Sequence, residues 1–364
     1  MKNIIIFFPS FERGGAEKIL INIIKNLSQK NIKVFLITNS GKKEFGFKNI
    51  KIIKIPNLSI PFLNNRIVSG MLAIKYLINL LIKLNIKDTK VLSMQSNFFS
   101  VLICYFFNFK VSVRISEDPC GATYFADNRF FSFFIMITKF ITYNFSDGII
   151  ANGKKSMLCV QQMVFNKSKV KLLYNPYLLK LNLIKKRKTH KYFLNVGRLC
   201  KQKNQTCLID AFSLFKNSNK KFKLIFIGDG PDKSKLINQV NKLNLQSYVI
   251  FKGWKKNLNK FYSKAYAFVL PSLYEGMPNA LIDAINYEIP SISSNASGVN
   301  ELLLYGKGGE IIQNINKNSL SKRMIFMVKN YKHSQKKIIK SKKQLNKFLI
   351  NFATEKYINF LNKF

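Results

Sequence analysis

Strands buried on both faces need near-continuous apolar runs. This chain supplies such runs in alternation with helix-period stretches, and the alternation begins twice. Ile4 to Phe8 is the first run, Ala16 to Leu27 carries Ile19, Leu20, Ile23 and Ile24 at helical spacing, and Val34 to Thr38 is the next run. That order is a β-α-β unit, the building block of a doubly wound parallel sheet. Ile50 to Ile55, Val91 to Met94, Val111 to Ile115, Asp147 to Asn152 and Val170 to Tyr174 add strands, with helices predicted over Ile67 to Leu84 and Phe98 to Phe107. From Tyr192 the pattern starts again. Strands at Tyr192 to Val196, Lys223 to Ile227, Val249 to Phe251, Ala267 to Leu270 and Ser291 to Ser293 are separated by helices at Gln205 to Phe215, Asp232 to Leu243 and around Leu258 to Ala265. The expected fold is α/β, with two Rossmann-like domains over residues 1–176 and 191–340, joined by a polar, basic connection over 177–190 around Lys185 to Lys188. A chain of 364 residues has room for two such cores.

Charge asks for a cause. Sixty Lys and Arg stand against 17 Asp and Glu, a formal charge of +43, and only seven of the basic residues are arginine. Lysine, Asn, Ile and Phe are all abundant and share AT-rich codons, so codon composition explains much of the excess. The basic residues are spread along the chain and accompany no nucleic-acid-reading motif, which argues against nucleic acid as a partner. Spread lysines with many aromatics suit an anionic membrane surface, which stays open beside codon bias. The start, Met1 to Phe8, is too short and too lightly charged for a signal peptide, and the apolar stretches Phe98 to Phe109 and Phe130 to Ile137 are about half the length needed to span a bilayer. Cys104, Cys120, Cys159, Cys200 and Cys207 are odd in number and form no CxxC pair, so reduced thiols in a cytosolic setting are expected. His190 and His333 lie in no ligand cluster, and no metal site is expected.

One stretch carries chemistry: Pro271-Ser-Leu-Tyr-Glu275-Gly-Met-Pro-Asn279-Ala-Leu-Ile-Asp283. It joins a buried strand to an amphipathic helix starting near Asn279, so the amides of Gly276 to Asn279 could receive an anion at a helix N-terminus. Glu275 and Asp283 could accept hydrogen bonds from sugar or ribose hydroxyls. Two readings fit these residues alone: a phosphorylated-sugar site, and a capped helix with an ordinary acidic first turn.

Other motifs sit at strand ends, where open α/β sheets bind ligands. Gly14-Gly15 ends the first strand and is either a tight turn or a close approach for a ligand. Gly197-Arg198 ends the first strand of the second domain, with Lys203 five residues later; together they are either a solvated basic turn or a grip on a diphosphate. Gly228-Asp-Gly-Pro231 and Gly253-Trp254 end the next two strands.

In order, Gly14-Gly-Ala-Glu17, Asn175-Pro176, Gly197-Arg198-x4-Lys203-Asn204, Gly228-Asp-Gly-Pro231, Gly253-Trp254, Pro271-Ser-x2-Glu275-Gly-Met-Pro, Pro290-x-Ile292 and Gly298-x2-Glu301 resemble the pattern of glycosyltransferase family 4. The resemblance covers nearly the whole chain and is most specific over residues 192–310. It implies a GT-B fold, with two Rossmann-like domains facing across a cleft, and a closing helix within 341–364 that returns to the N-terminal domain. It further implies a retaining transferase that needs no cofactor and no metal and uses a nucleotide sugar, UDP being the commonest nucleotide. By matching position, Arg198 and Lys203 would hold the donor diphosphate and stabilise the leaving group, with Gly15 supplying backbone near the same phosphates. Glu275 would bind hydroxyls of the transferred sugar, above Gly276, Met277 and Pro278, with Asn279 opening the phosphate-facing helix. Gly253 lies where the nucleobase is read. Asp283 takes the second place of the family's E-x7-E motif and is one methylene short of the glutamate usual there.

Many relatives also carry a histidine in the N-terminal domain near the reacting centre, and this chain has none there. At the comparable strand end stand Arg114, Glu117 and Asp118, which either meet the acceptor or form a salt-bridged loop. The acceptor expected is a glycan, lipid-linked, in cell-surface polysaccharide or lipooligosaccharide synthesis. The chain would then work peripherally on the inner face of the cytoplasmic membrane, with an aromatic loop from Tyr124 to Phe134 as a contact. Two rivals share the fold signals. A sugar-nucleotide epimerase would want acid and base groups in the cleft. A non-catalytic sugar-nucleotide binder would not need Arg198, Lys203 and Glu275 together. A dehydrogenase fails for want of G-x-G-x-x-G after either first strand.

Overall fold

The structure is a computed structural model that describes residues 1–11, 15–30, 32–40, 49–58, 65–126, 129–184 and 189–363. Gly14 and the basic run Lys185 to Lys188 lie outside the described residues. The chain divides into two compact units, Met1–Leu179 with Lys347–Phe364, and Lys180–Asn346.

The first unit holds strands β1 (Asn3–Phe7), β2 (Lys33–Thr38), β3 (Ile50–Lys54), β4 (Thr89–Ser93), β5 (Val111–Ile115), β6 (Gly148–Ala151) and β7 (Val170–Leu172). Its helices before the crossing are α1 (Gly15–Gln29), α2 (Asn65–Lys83), α3 (Asn97–Phe106), α4 (Pro119–Tyr124), α5 (Arg129–Phe145) and α6 (Lys154–Gln161). The strands form one sheet in the order β3-β2-β1-β4-β5-β6-β7. Every pair is parallel, with Ile5 level with Phe35 on one side and Val91 on the other. The reason is in the runs themselves: Ile4, Ile5, Ile6 and Phe7 are all fully buried, as a strand covered on both faces requires. Leu77, Val101, Val113 and Ile149 continue the core on one side of the sheet.

The second unit holds β8 (Tyr192–Val196), β9 (Lys223–Ile227), β10 (Val249–Phe251), β11 (Ala267–Leu270), β12 (Ser291–Ser294) and β13 (Glu310–Ile312). Its helices are α7 (Gln205–Lys216), α8 (Lys233–Lys242), α9 (Asn259–Lys264), α10 (Asn279–Asn286), α11 (Val299–Leu302), α12 (Lys317–Lys329) and α13 (Tyr331–Lys342). Its sheet runs β10-β9-β8-β11-β12-β13, again parallel throughout. Phe193, Phe212, Phe215 and Phe222 fill its core, with Phe193 and Phe215 edge to face at 5.1 Å between centroids. In this strand order the chain reverses direction of travel between β8 and β11, and the crevice beyond their C-terminal ends is where such sheets take ligands.

The divisions fall at 179/180 and 346/347 rather than at 176 and 340. Tyr177 and Leu178 both donate their amides to the Phe348 carbonyl, and Ile350 donates back to Leu178, so the start of the expected connection and the end of the chain close one bridge. The last helix, α14 (Ile350–Lys363), packs on α1 within the first unit.

Two expectations change. Cys120 and Cys159, 39 residues apart, form a disulfide between α4 and α6 instead of remaining thiols. No local motif could announce it, because only the packing of α4 on α6 brings them together. The aromatic stretch Tyr124 to Phe134 is not one loop: α4 ends at Tyr124, and Phe130 onward belongs to α5. Phe130, Phe133, Phe134 and Ile137 recur at the three- and four-residue spacing of a helix face.

Candidate functional site

The loops beyond β8, β9, β10 and β11 are bonded to one another before any ligand is considered. The Gly197 amide donates to Ile227, Gly228 to Gly253, Leu199 to Asp229, and Asp232 back to the Leu199 carbonyl, all at 3.0–3.1 Å. Gly228 sits at φ +140°, and a Cβ there would stand 1.9 Å from the Gly197 carbonyl oxygen, so no other residue fits. Gly253 ends β10's loop at φ +64° with open space beside it, and the exposed Trp254 follows.

The turn at Lys201–Lys203 is stitched to the loop after β11. Leu273 donates its amide to the Gln202 carbonyl at 2.8 Å, the Gln202 side chain donates to the Tyr274 carbonyl at 3.0 Å, and Asn204 Nδ2 donates to the Pro271 carbonyl at 3.2 Å. Lys203 Nζ completes the set with a 2.5 Å bond to Glu275 Oε1. The fully buried Ser272 gives the same oxygen a second donor at 2.7 Å, and its own carbonyl accepts from Ser294 Oγ. Glu275 is therefore fixed in direction although only 5% of its surface is exposed. A buried carboxylate is tolerable only when paired and hydrogen-bonded, and both conditions are met.

Arg198 differs. Its backbone carbonyl accepts from the Gln205 side chain, but its exposed guanidinium has no partner among the described residues. An ammonium has three donors and Glu275 uses one from Lys203, so Lys203 keeps two N–H directions for an anion. Gly276, Met277 and Pro278 are buried beneath, and Pro278, whose ring offers no side-chain cap to the first turn, is the N-cap of α10. Gly298, at φ +75°, lets α11 press against this loop, since a Cβ there would meet the Gly276 oxygen at 2.4 Å. Asp283 is half-buried one turn into α10. Burial first and the Asp283 carboxylate second push the phenols of Tyr262 and Tyr287 upward, which places Asp283 toward that tyrosine pair.

In the first unit, Gly15 is exposed as the first residue of α1. The three residues at the end of β5 have different fates. Arg114 is 2% exposed, and its guanidinium donates to Tyr357 Oη at 3.2 Å, Ser116 Oγ at 2.7 Å and Asn175 Oδ1 at 2.6 Å. Asp118 is buried as the N-cap of α4, accepting from the Cys120 amide at 3.2 Å. Glu117 alone of the three is exposed, with Lys139 Nζ at 4.0 Å. Sequence reasoning missed Ser272 and Gln202 as supports of Glu275. Ser272 stood inside the quoted Pro-Ser-x2-Glu motif, but nothing in sequence aimed it at the carboxylate.

The second unit is a parallel α/β sheet with a lysine bonded to a buried carboxylate at its strand ends, and similar proteins define it further. Residues 182–345 match the family described as "Glycosyl transferases group 1". That span coincides with the second unit. The match lies within the second unit, and the chain is a glycosyltransferase with a GT-B fold. Over 350 residues it is 27% identical to the Campylobacter jejuni N-acetylgalactosamine-N,N'-diacetylbacillosaminyl-diphospho-undecaprenol 4-alpha-N-acetylgalactosaminyltransferase, covering 91% of this chain and 92% of that one. A second C. jejuni protein, a GalNAc-alpha-(1->4)-GalNAc-alpha-(1->3)-diNAcBac-PP-undecaprenol alpha-1,4-N-acetyl-D-galactosaminyltransferase, is 22% identical over 99% of this chain and 98% of its own. Among solved structures, Anabaena HepE in complex with UDP and glucose superposes over the whole of both chains with a TM-score of 0.79 at 15% identity.

Proposed function

We propose that the chain moves a sugar from a nucleotide sugar, a UDP-sugar by preference, to a lipid-linked glycan with retention of anomeric configuration, in the synthesis of a cell-surface polysaccharide or lipooligosaccharide. One observation supports the reading: Lys203 is bonded to the buried Glu275, and the exposed Arg198 lies two residues beyond β8, both at strand ends of the second unit. Cations beside a carboxylate suit a diphosphate joined to a polyhydroxylated ring, and the undecaprenol-linked acceptors in the names of the C. jejuni relatives support the acceptor class. The UDP in the HepE complex supports the nucleotide.

In this mechanism Arg198 and Lys203 take the diphosphate and stabilise the charge that develops as the sugar–phosphate bond breaks. Glu275, held by Ser272 and Lys203, receives ring hydroxyls and fixes the sugar. Gly253 and Trp254 lie at the nucleobase end, and the ribose falls toward Asp283, whose side chain is shorter than the family's glutamate. The acceptor hydroxyl attacks from the face the phosphate leaves, and the leaving phosphate accepts its proton, so the protein needs no dedicated base and no metal. Glu117, the exposed carboxylate at the end of β5, is assigned to the acceptor, and Gly15 to the donor phosphates. The enzyme works at the inner face of the cytoplasmic membrane.

A thermal-shift screen of nucleotide sugars, followed by transfer with the stabilising donor, tests the reading. The expected result is one preferred donor and a product whose anomeric proton coupling matches the donor's. Inverted configuration would refute the mechanism, and the absence of stabilisation by any nucleotide or nucleotide sugar would refute the site.

A further inference from the structure

Helix α5 is packed inside out. The side turned into the first unit carries Ser132, Thr142 and Tyr143, all buried, and Lys139, whose side chain is 18% exposed. Burial lowers the Lys139 ammonium below the ordinary lysine range, against the opposing pull of Glu117 and Asp118. The side turned to solvent carries Phe130, Phe133, Phe134, Ile137 and Phe140, between 40% and 74% exposed. Scattered apolar residues on a surface mean little, but a contiguous aromatic stripe on a helix that hides its polar groups means a partner.

The stripe continues beyond the helix. Phe165 packs edge-on against Phe140 at 5.5 Å and is itself 83% exposed. At the last residue of α5, Phe145 meets Tyr105 at 4.9 Å, and Phe106 follows, 75% exposed. The 17 residues of α5 make a ridge ~25 Å long. No helix among the described residues is long and apolar enough to cross a membrane, so the ridge lies along whatever it meets.

We propose that this face of the first unit docks into the headgroup region of an anionic phospholipid bilayer, with α5 lying in the plane of the interface. The inference deepens the lipid-linked acceptor reading and rests on it, naming the surface that meets the lipid. Charge selects the occupant. Helix α5 contains no acidic residue, and exposed Lys167 follows Phe165 by two positions. Exposed Lys154 and Lys155 begin α6, whose outer side also shows Leu158. Aromatic rings at the level of the headgroups with lysines reaching anionic phosphates is the arrangement that holds peripheral proteins on such membranes. A second copy is disfavoured because two chains of formal charge +43 repel, whereas an anionic bilayer attracts each.

The test is flotation of the full-length protein with phosphatidylcholine vesicles, with and without phosphatidylglycerol, at low and high salt. The wild type is expected to float with the anionic vesicles, less so at high salt. A Phe133→Ser/Phe134→Ser/Phe140→Ser variant should partition about 10²-fold less, since each ring withdraws a large apolar area from water on docking. Its transfer to a short, water-soluble acceptor should be unchanged; loss of transfer by both proteins would count against the enzymatic reading and leave the vesicle result to stand alone. Should the triple variant fail to fold, Phe134→Trp in vesicles of brominated lipid serves instead, with quenching expected beyond that of Trp254 in the wild type. Equal partitioning of variant and wild type, no binding by the wild type at low salt, or no added quenching of the new tryptophan would each overturn the proposal. So would a dimer, seen by light scattering, that the triple substitution abolishes without changing vesicle binding.

Discussion

Arg114 and Arg198 are the same residue at comparable places, the C-terminal end of a strand in each of two parallel sheets, and they have opposite fates. Arg198 is exposed and its guanidinium is unpartnered among the described residues, whereas Arg114 is 2% exposed and gives hydrogen bonds to Tyr357, Ser116 and Asn175. The difference comes from what each sheet end must hold. In the second unit the strand-end loops are tied by backbone bonds and by Lys203 with Glu275, so a second cation can stay free for an anion. In the first unit the end of β5 must anchor α14, and Tyr357 on that helix takes the guanidinium. A charged group that chemistry could use is there committed to architecture.

Several experiments could break that contrast. The largest expected effect belongs to the Cys120–Cys159 disulfide, which has no counterpart between the cysteines of the second unit. Constraint of the unfolded chain over a separation of 39 residues is worth at most ~4 kcal/mol. Reductant, or Cys120→Ser, should therefore lower the urea midpoint of the first unit and leave the second unchanged, as followed by limited proteolysis. Cys207 will not confuse the reading, because burial and then Asp210 push its thiol up to about 11.

Next comes Arg114→Met, which leaves the buried oxygens of Tyr357 and Asn175 without their charged donor. A loss on the order of 3 kcal/mol in unfolding free energy is expected, with turnover per folded molecule little changed. Arg198→Ala should do the reverse, reducing turnover by ~10²-fold, about 2.7 kcal/mol of barrier, with no change in melting temperature. If Arg198→Ala melted early while Arg114→Met kept its fold and lost turnover, the two assignments would have to be exchanged. The smallest effect is at Ser272. Ser272→Ala removes one of two donors to Glu275 Oε1 and should lower kcat by roughly tenfold, about one hydrogen bond's worth, while KM for the nucleotide moiety holds. A rise in KM with kcat intact would mean that Ser272 supports binding rather than sugar placement.

The sheets were legible because burial on both faces demands runs such as Ile4 to Phe7 and Ala267 to Leu270, and those runs stand out in any reading. The donor corner was legible for a related reason: Arg198, Lys203 and Glu275 each lie within a few residues of a strand end, so finding the strands places them. Gly228 and Gly298 were visible as glycines, but the clashes that require them, with the oxygens of Gly197 and Gly276, involve distant loops. The end of α4 and the start of α5 read as one aromatic loop over Tyr124 to Phe134 because the outward residues of α5 are apolar, and periodicity does not say which face looks out.

The sequence by itself determined the strand and helix runs, their order along the chain and the motif-bearing strand ends, all of which are set by residue patterns over short stretches. Only the tertiary structure decided which charged groups remain free. Arg114 is claimed by Tyr357, 243 residues away, Cys120 by Cys159 across 39, and Glu275 by Lys203 across 72. Such partners meet through the packing of whole elements, and a buried charge or thiol takes whichever partner that packing brings.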